Sequence, residues 1–424
     1  MATNASKPKV YRLRGCPGHF DKQDVTKLLS RELGDVASTD IEIQSLATEL
    51  KPLARSPTKV ATLMFYKLPA LLEREKGKNE WSIQVLALEE PLLLDTHFLG
   101  MTPFNDVESD KHEFDCIALS GLGSHPFGSW QPKGGDKSFM WIRDRLPRYV
   151  HNTRAIVYGY DTSLVGSTSF QSIPDLAATF INQIMACWRT VLDAKQLVFL
   201  AHSLGGIVVK EAFRILAGRD QRSTHMLGLF RGGVFFGVPS QGMATSHLHA
   251  MVKNQPNEQM VQDLSVDSPY LRSLDEQFHG LALQKSMRIH WAYETKTSPT
   301  VTTNSEGSFT RTGPKEILVS RESATRSLYS SLSSSNFPID QNHSDIVKFG
   351  NGDQNLGIVM EKLNELCGDG AGDYERDEDA VVPSGRIRLG FALRKTSSWS
   401  EAENQQEIEG YLILPQGHYT PHTH

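Results

Sequence analysis

An α/β fold with a doubly wound, mostly parallel central sheet, preceded by a small α+β domain, is what this sequence predicts. Three observations carry that expectation. Short apolar runs recur at 114–119, 154–160, 197–200 and 232–238, as strands buried on both faces of a parallel sheet should read. Helix-compatible stretches separate them, the longest at 174–192, with Leu176, Phe180, Ile184, Trp188 and Val191 on one stripe. At the centre, Leu197-Val198-Phe199-Leu200 passes through His202-Ser203-Leu204-Gly205 into a run at 207–216 that contains neither Gly nor Pro. Strand, turn and helix in alternation define the doubly wound class.

The chain has 424 residues, room for one large domain with an appendage or for two domains. A hydrophobic content of 39% supports a real core, and a formal charge of −5 argues against a general nucleic-acid binder. Cys16, Cys116, Cys187 and Cys367 are widely separated and lack metal-ligand spacing, so they read as reduced thiols. Neither a membrane-length apolar run nor a signal-peptide core is present. The expectation is a cytoplasmic protein, not a secreted one. Lys7, Lys9, Arg12 and Arg14, ahead of the first acid at Asp21, leave organelle association open.

Residues 1–90 read as the appendage. Alternation at 10–14 predicts a strand, Asp21 caps a helix over 22–33, and 41–43, 59–66 and 81–86 supply further strands, with a short helix over 67–76. This β-α-β-β-α-β order predicts a ferredoxin-like sandwich. RNA-binding domains share that order. Here only Tyr11 and Phe65 or Tyr66 offer stacking rings, without a basic-aromatic signature around them. Residues 91–111 form a junction, 112–367 the main domain, and 368–424 a Gly-, Asp-, Glu- and Ser-rich, weakly ordered tail.

In the main domain, the strand at 114–119 opens into Ser120-Gly121-Leu122-Gly123-Ser124-His125-Pro126, whose glycines let the backbone curl towards a ligand. The turn around Ser203 has small neighbours, as a nucleophile elbow needs, although Ala201 stands where glycine is usual. Backbone N–H groups of Leu122 and Leu204 are the expected receivers of an oxyanion. Residues 240–283 are amphipathic and predict helical cover over the site, with Met243 and Met251 as candidate substrate contacts; core packing is the competing role for both. Strands at 287–293 and 316–319 end the sheet and deliver Glu294 and Glu322.

A serine hydroxyl needs a base to take its proton and an acid to orient that base. In a hydrolase of this architecture the chain order is serine, acid, histidine. His343 is the one histidine beyond the last predicted strand that precedes a terminal helix in polar company. Glu322, 21 residues before it, is the preferred acid, and Glu294 is the alternative. His202 abuts the serine, so its side chain should diverge from Oγ.

Taken together, residues 112–366 resemble the fungal serine active-site-containing hydrolases, in the lipase branch of the α/β-hydrolases. The resemblance rests on Gly121-Leu122-Gly123 with His125-Pro126 and Trp130, Tyr158-Gly159-Tyr160, Ala201-His202-Ser203-Leu204-Gly205-Gly206, Phe236-Gly237-Val238-Pro239, Tyr293-Glu294-Thr295, Arg321-Glu322-Ser323-Ala324 and Asn342-His343-Ser344-Asp345. It implies an α/β-hydrolase fold with Ser203 as nucleophile, His343 as base and Glu322 or Glu294 as acid. Ser120 and Ser240 replace histidines usual in that family. The implied activity is carboxylic-ester hydrolysis on a lipid or small acyl ester, with no metal, cofactor or nucleic acid. A non-catalytic hydrolase-fold scaffold, or an acyltransferase or thioesterase on the same three residues, is the alternative. Peripheral membrane contact and oligomeric state stay open.

Overall fold

The computed structural model describes residues 9–368, except 52–55, 135, 189–194, 219, 306–307 and 326–334. These residues belong to one compact unit, Met1–Gly372. The tail read at 368–424 lies, beyond Gly368, outside the described residues.

The N-terminal domain begins with β1 (Val10–Pro17) and α1 (Lys22–Leu33). Asp21 starts α1 with a reciprocal box: its carboxylate accepts the Asp24 N–H at 2.8 Å, and Asp24 accepts the Asp21 N–H at 3.1 Å. Val25, Leu28 and Leu29 form the buried face of α1 against the sheet. There follow β2 (Ile41–Thr48), β3 (Thr58–Phe65), α2 (Ala70–Arg74), β4 (Glu80–Ile83) and β5 (Leu92–Asp95). The antiparallel order is β2-β3-β1-β5-β4. A ferredoxin-like sandwich would seat its fourth strand beside β1. Here β5, from the stretch expected to be a junction, takes that seat, and β4 is added outside it. Tyr11 and Phe65 pack edge-to-face at 5.4 Å, with Trp81 6.1 Å from Tyr11, and both rings are buried. Neither offers a stacking surface to a base.

The second sheet is built from β6 (Gly100–Pro103), β7 (Phe114–Leu119), β8 (Thr153–Gly159), β9 (Gln196–His202), β10 (Phe230–Phe236) and β11 (Arg288–Glu294). Four two-residue strands, β12 to β15, lie between 298 and 316, and β16 (Asn336–Ile339) completes the set. The sheet order is β16-β11-β10-β9-β7-β8-β6, parallel throughout except for β6. Between β7 and β8 lie α3 (Trp141–Asp144) and α4 (Leu146–Tyr149); α5 (Ile173–Cys187) leads into β9. Next come α6 (Leu204–Ala217), α7 (Gln221–Gly228), α8 (Ser246–Val252), α9 (Glu258–Asp263), α10 (Pro269–Gln284), α11 (Arg321–Thr325) and α12 (Gln354–Cys367). One core layer joins α5, α6 and α10 to the sheet, and the other joins α3, α4 and α12. This is an α/β-hydrolase architecture carrying a small N-terminal α+β subdomain.

Two expectations change. The strand expected at 316–319 is not part of the sheet: β15 (Lys315–Glu316) only pairs with β12. The last sheet strand is β16, whose Pro338 breaks the apolar pattern and is tolerated because β16 sits at the edge. The expected cover over 240–283 is also divided. His247 and Leu248 of α8 reach the cavity beside Ser203, whereas Phe278 of α10 packs on Phe213 of α6 at 5.3 Å. No described helix is long and apolar enough to cross a membrane.

Candidate active site

The turn between β9 and α6 puts Ser203 at φ 51°, ψ −123°, a backbone conformation that costs a non-glycine residue about 1–3 kcal/mol. Close packing holds it there. The Ser203 N–H donates to the Phe236 carbonyl at 3.0 Å, and the Ser203 carbonyl accepts from Gly206 N–H at 3.0 Å. A Cβ on Gly205 would lie 2.6 Å from the Leu119 carbonyl, so only glycine lets α6 start so near β7. Ala201, where glycine is usual, is buried in strand register with Leu119 and Phe235, and its methyl joins the core layer.

The imidazole beside Ser203 is brought in from the far end of the chain. His343 follows β16 and is buried, with its N–H donating to Ser298 Oγ at 3.2 Å. Its Nε2 lies 2.9 Å from Ser203 Oγ and its Nδ1 2.7 Å from Glu294 Oε2. Glu294 ends β11, buried, with Oε1 accepting the Leu318 and Val319 N–H groups at 2.8 and 3.3 Å. Those amides fix one carboxylate oxygen and leave the other for the imidazole.

Glu322, the preferred acid by sequence, is exposed in the first turn of α11 and Glu294 occupies the position instead. The physical reason is the misplaced last strand. Residues 315–319 turn back over the end of β11, so their amides clamp Glu294 while the chain carries Glu322 on to the surface. Asp345 pairs with Lys133 and Lys348, away from the ring nitrogens of His343.

Gly121 lies against the serine: a Cβ there would be 2.9 Å from Ser203 Cβ. In the same loop the Gly123 N–H is committed to the Thr162 carbonyl and Oγ1, both at 3.1 Å. Tyr160 Oη donates to the Ser120 carbonyl at 2.6 Å. Leu122 borders the cavity, and Leu204 is the first residue of α6, whose N–H has no carbonyl one turn back within the helix. Met243 lines the cavity. Met251 does not; it packs half-buried against Leu248, Val252 and Val261.

His202 is a residue whose contact the sequence did not reveal. Its Nε2–H donates to the His343 carbonyl at 2.9 Å, and the ring nitrogen beside Ser203 Oγ belongs to His343 instead. Burial, reinforced by His343, pushes its pKa down to about 3, so it stays neutral. No local pattern announces a hydrogen bond to a main-chain oxygen 141 positions away.

The cavity beside Ser203 measures about 350 Å³. Among the described residues lining it are Arg311, Lys348 and four histidines, and no carboxylate. Lys348 is paired with Asp345 at 3.1 Å, whereas Arg311 donates to the neutral Ser344 Oγ at 2.8 Å. The arrangement can pass a proton from the hydroxyl to the imidazole and hold the resulting cation against Glu294.

No protein-family profile matches the chain. It is similar to Protein SERAC1 of Homo sapiens, 24% identical over 302 residues that cover 66% of this chain and 43% of that protein. Against Protein SERAC1 of Bos taurus it is 24% identical over 194 residues, covering 41% and 29%. The chain therefore spans less than half the length of these vertebrate relatives. Among solved structures, lipase BlEst2 of Bacillus licheniformis aligns with TM-score 0.35 and 12% identity over 62% of this chain and 97% of that one. The type II thioesterase YbtT of the yersiniabactin pathway aligns with TM-score 0.30 and 13% identity over 62% and 96%.

Proposed function

We propose that the chain is a serine-dependent carboxylic-ester hydrolase working through an acyl-serine intermediate. The observation that carries this reading is the continuous Ser203 Oγ–His343–Glu294 hydrogen-bonded chain, open to a cavity on the serine side. His343 Nε2 takes the Oγ proton as the oxygen attacks the ester carbonyl. Glu294 holds the Nδ1–H tautomer and supports the positive ring, and the Leu122 and Leu204 amides receive the oxyanion. Collapse expels the alcohol, which leaves with the proton from Nε2. Water then attacks the acyl-serine with the same base. A fluorophosphonate probe tests this directly: the folded wild type should label and Ser203→Ala should not. Absence of labelling in the folded wild type defeats the reading in favour of a non-catalytic scaffold.

The carboxylate-free lining points to an ester that carries negative charge near the scissile bond. Arg311, whose charge meets no acid among the described residues, is the residue that would meet it. A partly exposed pairing of this kind is worth about 1 kcal/mol. Arg311→Gln is therefore expected to raise KM for a carboxylate-bearing nitrophenyl ester about fivefold while leaving a neutral ester of equal length unchanged. Equal effects on both esters would remove Arg311 from substrate recognition.

A further inference from the structure

The N-terminal domain is joined to the main sheet by only four residues, 96–99, between β5 and β6, and this hinge is held unusually firmly. Buried Asp95 accepts Arg12 Nε at 2.8 Å and Arg14 Nε at 3.1 Å on one oxygen, and the Phe98 N–H at 2.9 Å on the other. Arg12, itself buried, also donates to the Leu99 carbonyl at 2.9 Å and to Thr102 Oγ1 of β6 at 2.8 Å. Thr96 is tied back by its N–H to the Asn79 carbonyl at 2.9 Å. Phe98 is fully buried at φ 54°, and its carbonyl comes so close to β8 that a Cβ on Gly159 would lie 1.9 Å from it. A buried Arg12–Asp95 pair, reinforced by the partly exposed Arg14, is more than a tether requires.

What the lock touches is the loop beside the serine. His125 Nε2–H donates to the Thr96 carbonyl at 2.6 Å, and its ring meets Phe98 edge-to-face at 5.7 Å. Its bare Nδ1 accepts the Phe127 and Gly128 N–H groups at 3.2 and 3.0 Å, so both ring nitrogens are used and the tautomer is determined. Burial pushes the His125 pKa below the ordinary histidine value, in keeping with a neutral ring. Leu122, Gly123, Ser124, His125, Gly128 and Ser129, all from this loop, border the cavity. Tyr160 and Thr162, just beyond β8, hold the start of the loop; His125 holds its far side to Thr96 of the hinge.

We infer that the N-terminal domain is part of the acyl-transfer machinery, and that His125 is the positioning residue through which its hinge sets the loop carrying the Leu122 amide. This rests on the ester-hydrolase reading above. Small misplacement of an oxyanion donor is costly, because its value depends on aim.

Two substitutions in the full chain separate the link from the local cap. His125→Asn keeps an acceptor where Nδ1 stood but is too short for Thr96, whereas His125→Gln extends an amide N–H to where Nε2 stood. His125→Asn is expected to lower kcat on an activated ester by about 10- to 100-fold with little change in KM. Affinity for a boronate that forms the tetrahedral serine adduct should weaken by the same factor, and His125→Gln should recover most of both. A kcat and boronate affinity within twofold of wild type for His125→Asn, or a Gln variant no better than Asn, overturns the inference while the parent reading stands. Hydrogen exchange gives a readout independent of turnover: peptides covering 120–129 should exchange faster in His125→Asn than in wild type and recover in His125→Gln. Unchanged exchange overturns the inference. A folded wild type that hydrolyses no ester and resists the fluorophosphonate overturns the parent reading, and the catalytic role of His125 with it.

Discussion

Ser203→Ala is expected to lower kcat on an activated ester by about 10⁴- to 10⁶-fold, and His343→Ala by a similar factor. In the proposed mechanism the serine oxygen forms the acyl bond, and at neutral pH it is inert until Nε2, 2.9 Å away, receives its proton. Because the two side chains act in one step, their losses should not multiply. The double variant should be no slower than the worse single one, retaining whatever the oxyanion donors and the cavity still contribute. Single-turnover kinetics on the three variants decide this. A double variant slower by the product of the single effects would mean that serine and histidine work independently.

The second large effect is predicted for the acid. Glu294→Gln should reduce kcat by about 10⁴-fold, and Glu322→Gln should leave it within twofold. A glutamine at 294 can still accept the Leu318 and Val319 amides through one oxygen, so the fold has little reason to suffer. Its amide N–H would then face Nδ1 and drive the proton to Nε2. That tautomer presents a donor to the serine hydroxyl and cannot act as its base. Parallel kcat measurements with melting temperatures separate this chemical failure from unfolding. A large loss in Glu322→Gln instead would require the loop beyond β15 to rearrange in solution.

Much of this arrangement is local in sequence and was legible there. The elbow lies in one continuous stretch, Gln196 to Ala217, where an apolar strand, small turn residues and an unbroken helical run speak for one another. His343 could be read from its place between the end of the sheet and the closing helix. The carboxylate partner of His343 could not, because its identity depends on which strand is last. Asn336-Phe337-Pro338-Ile339 hides a strand behind a proline that an edge position permits. Lys315 to Val319 imitates a strand while serving as a pair of amide donors to Glu294. The same limit applies to His125 and His202. Each is recognisable as a histidine near the site, but each bonds to a backbone carbonyl, Thr96 or His343, and a carbonyl leaves no mark in a sequence. The extra strand β5 escaped for a related reason: Leu92–Asp95 is too short to show an alternation, and only pairing with β1 and β4 makes it one.

The twisted backbone at Ser203 sets local comfort and chemical purpose against each other. Glycine would sit there at ease, and any side chain is a burden that the surrounding core must carry. Folding alone would favour glycine there, and the side chain that replaces it is retained at a cost to the backbone.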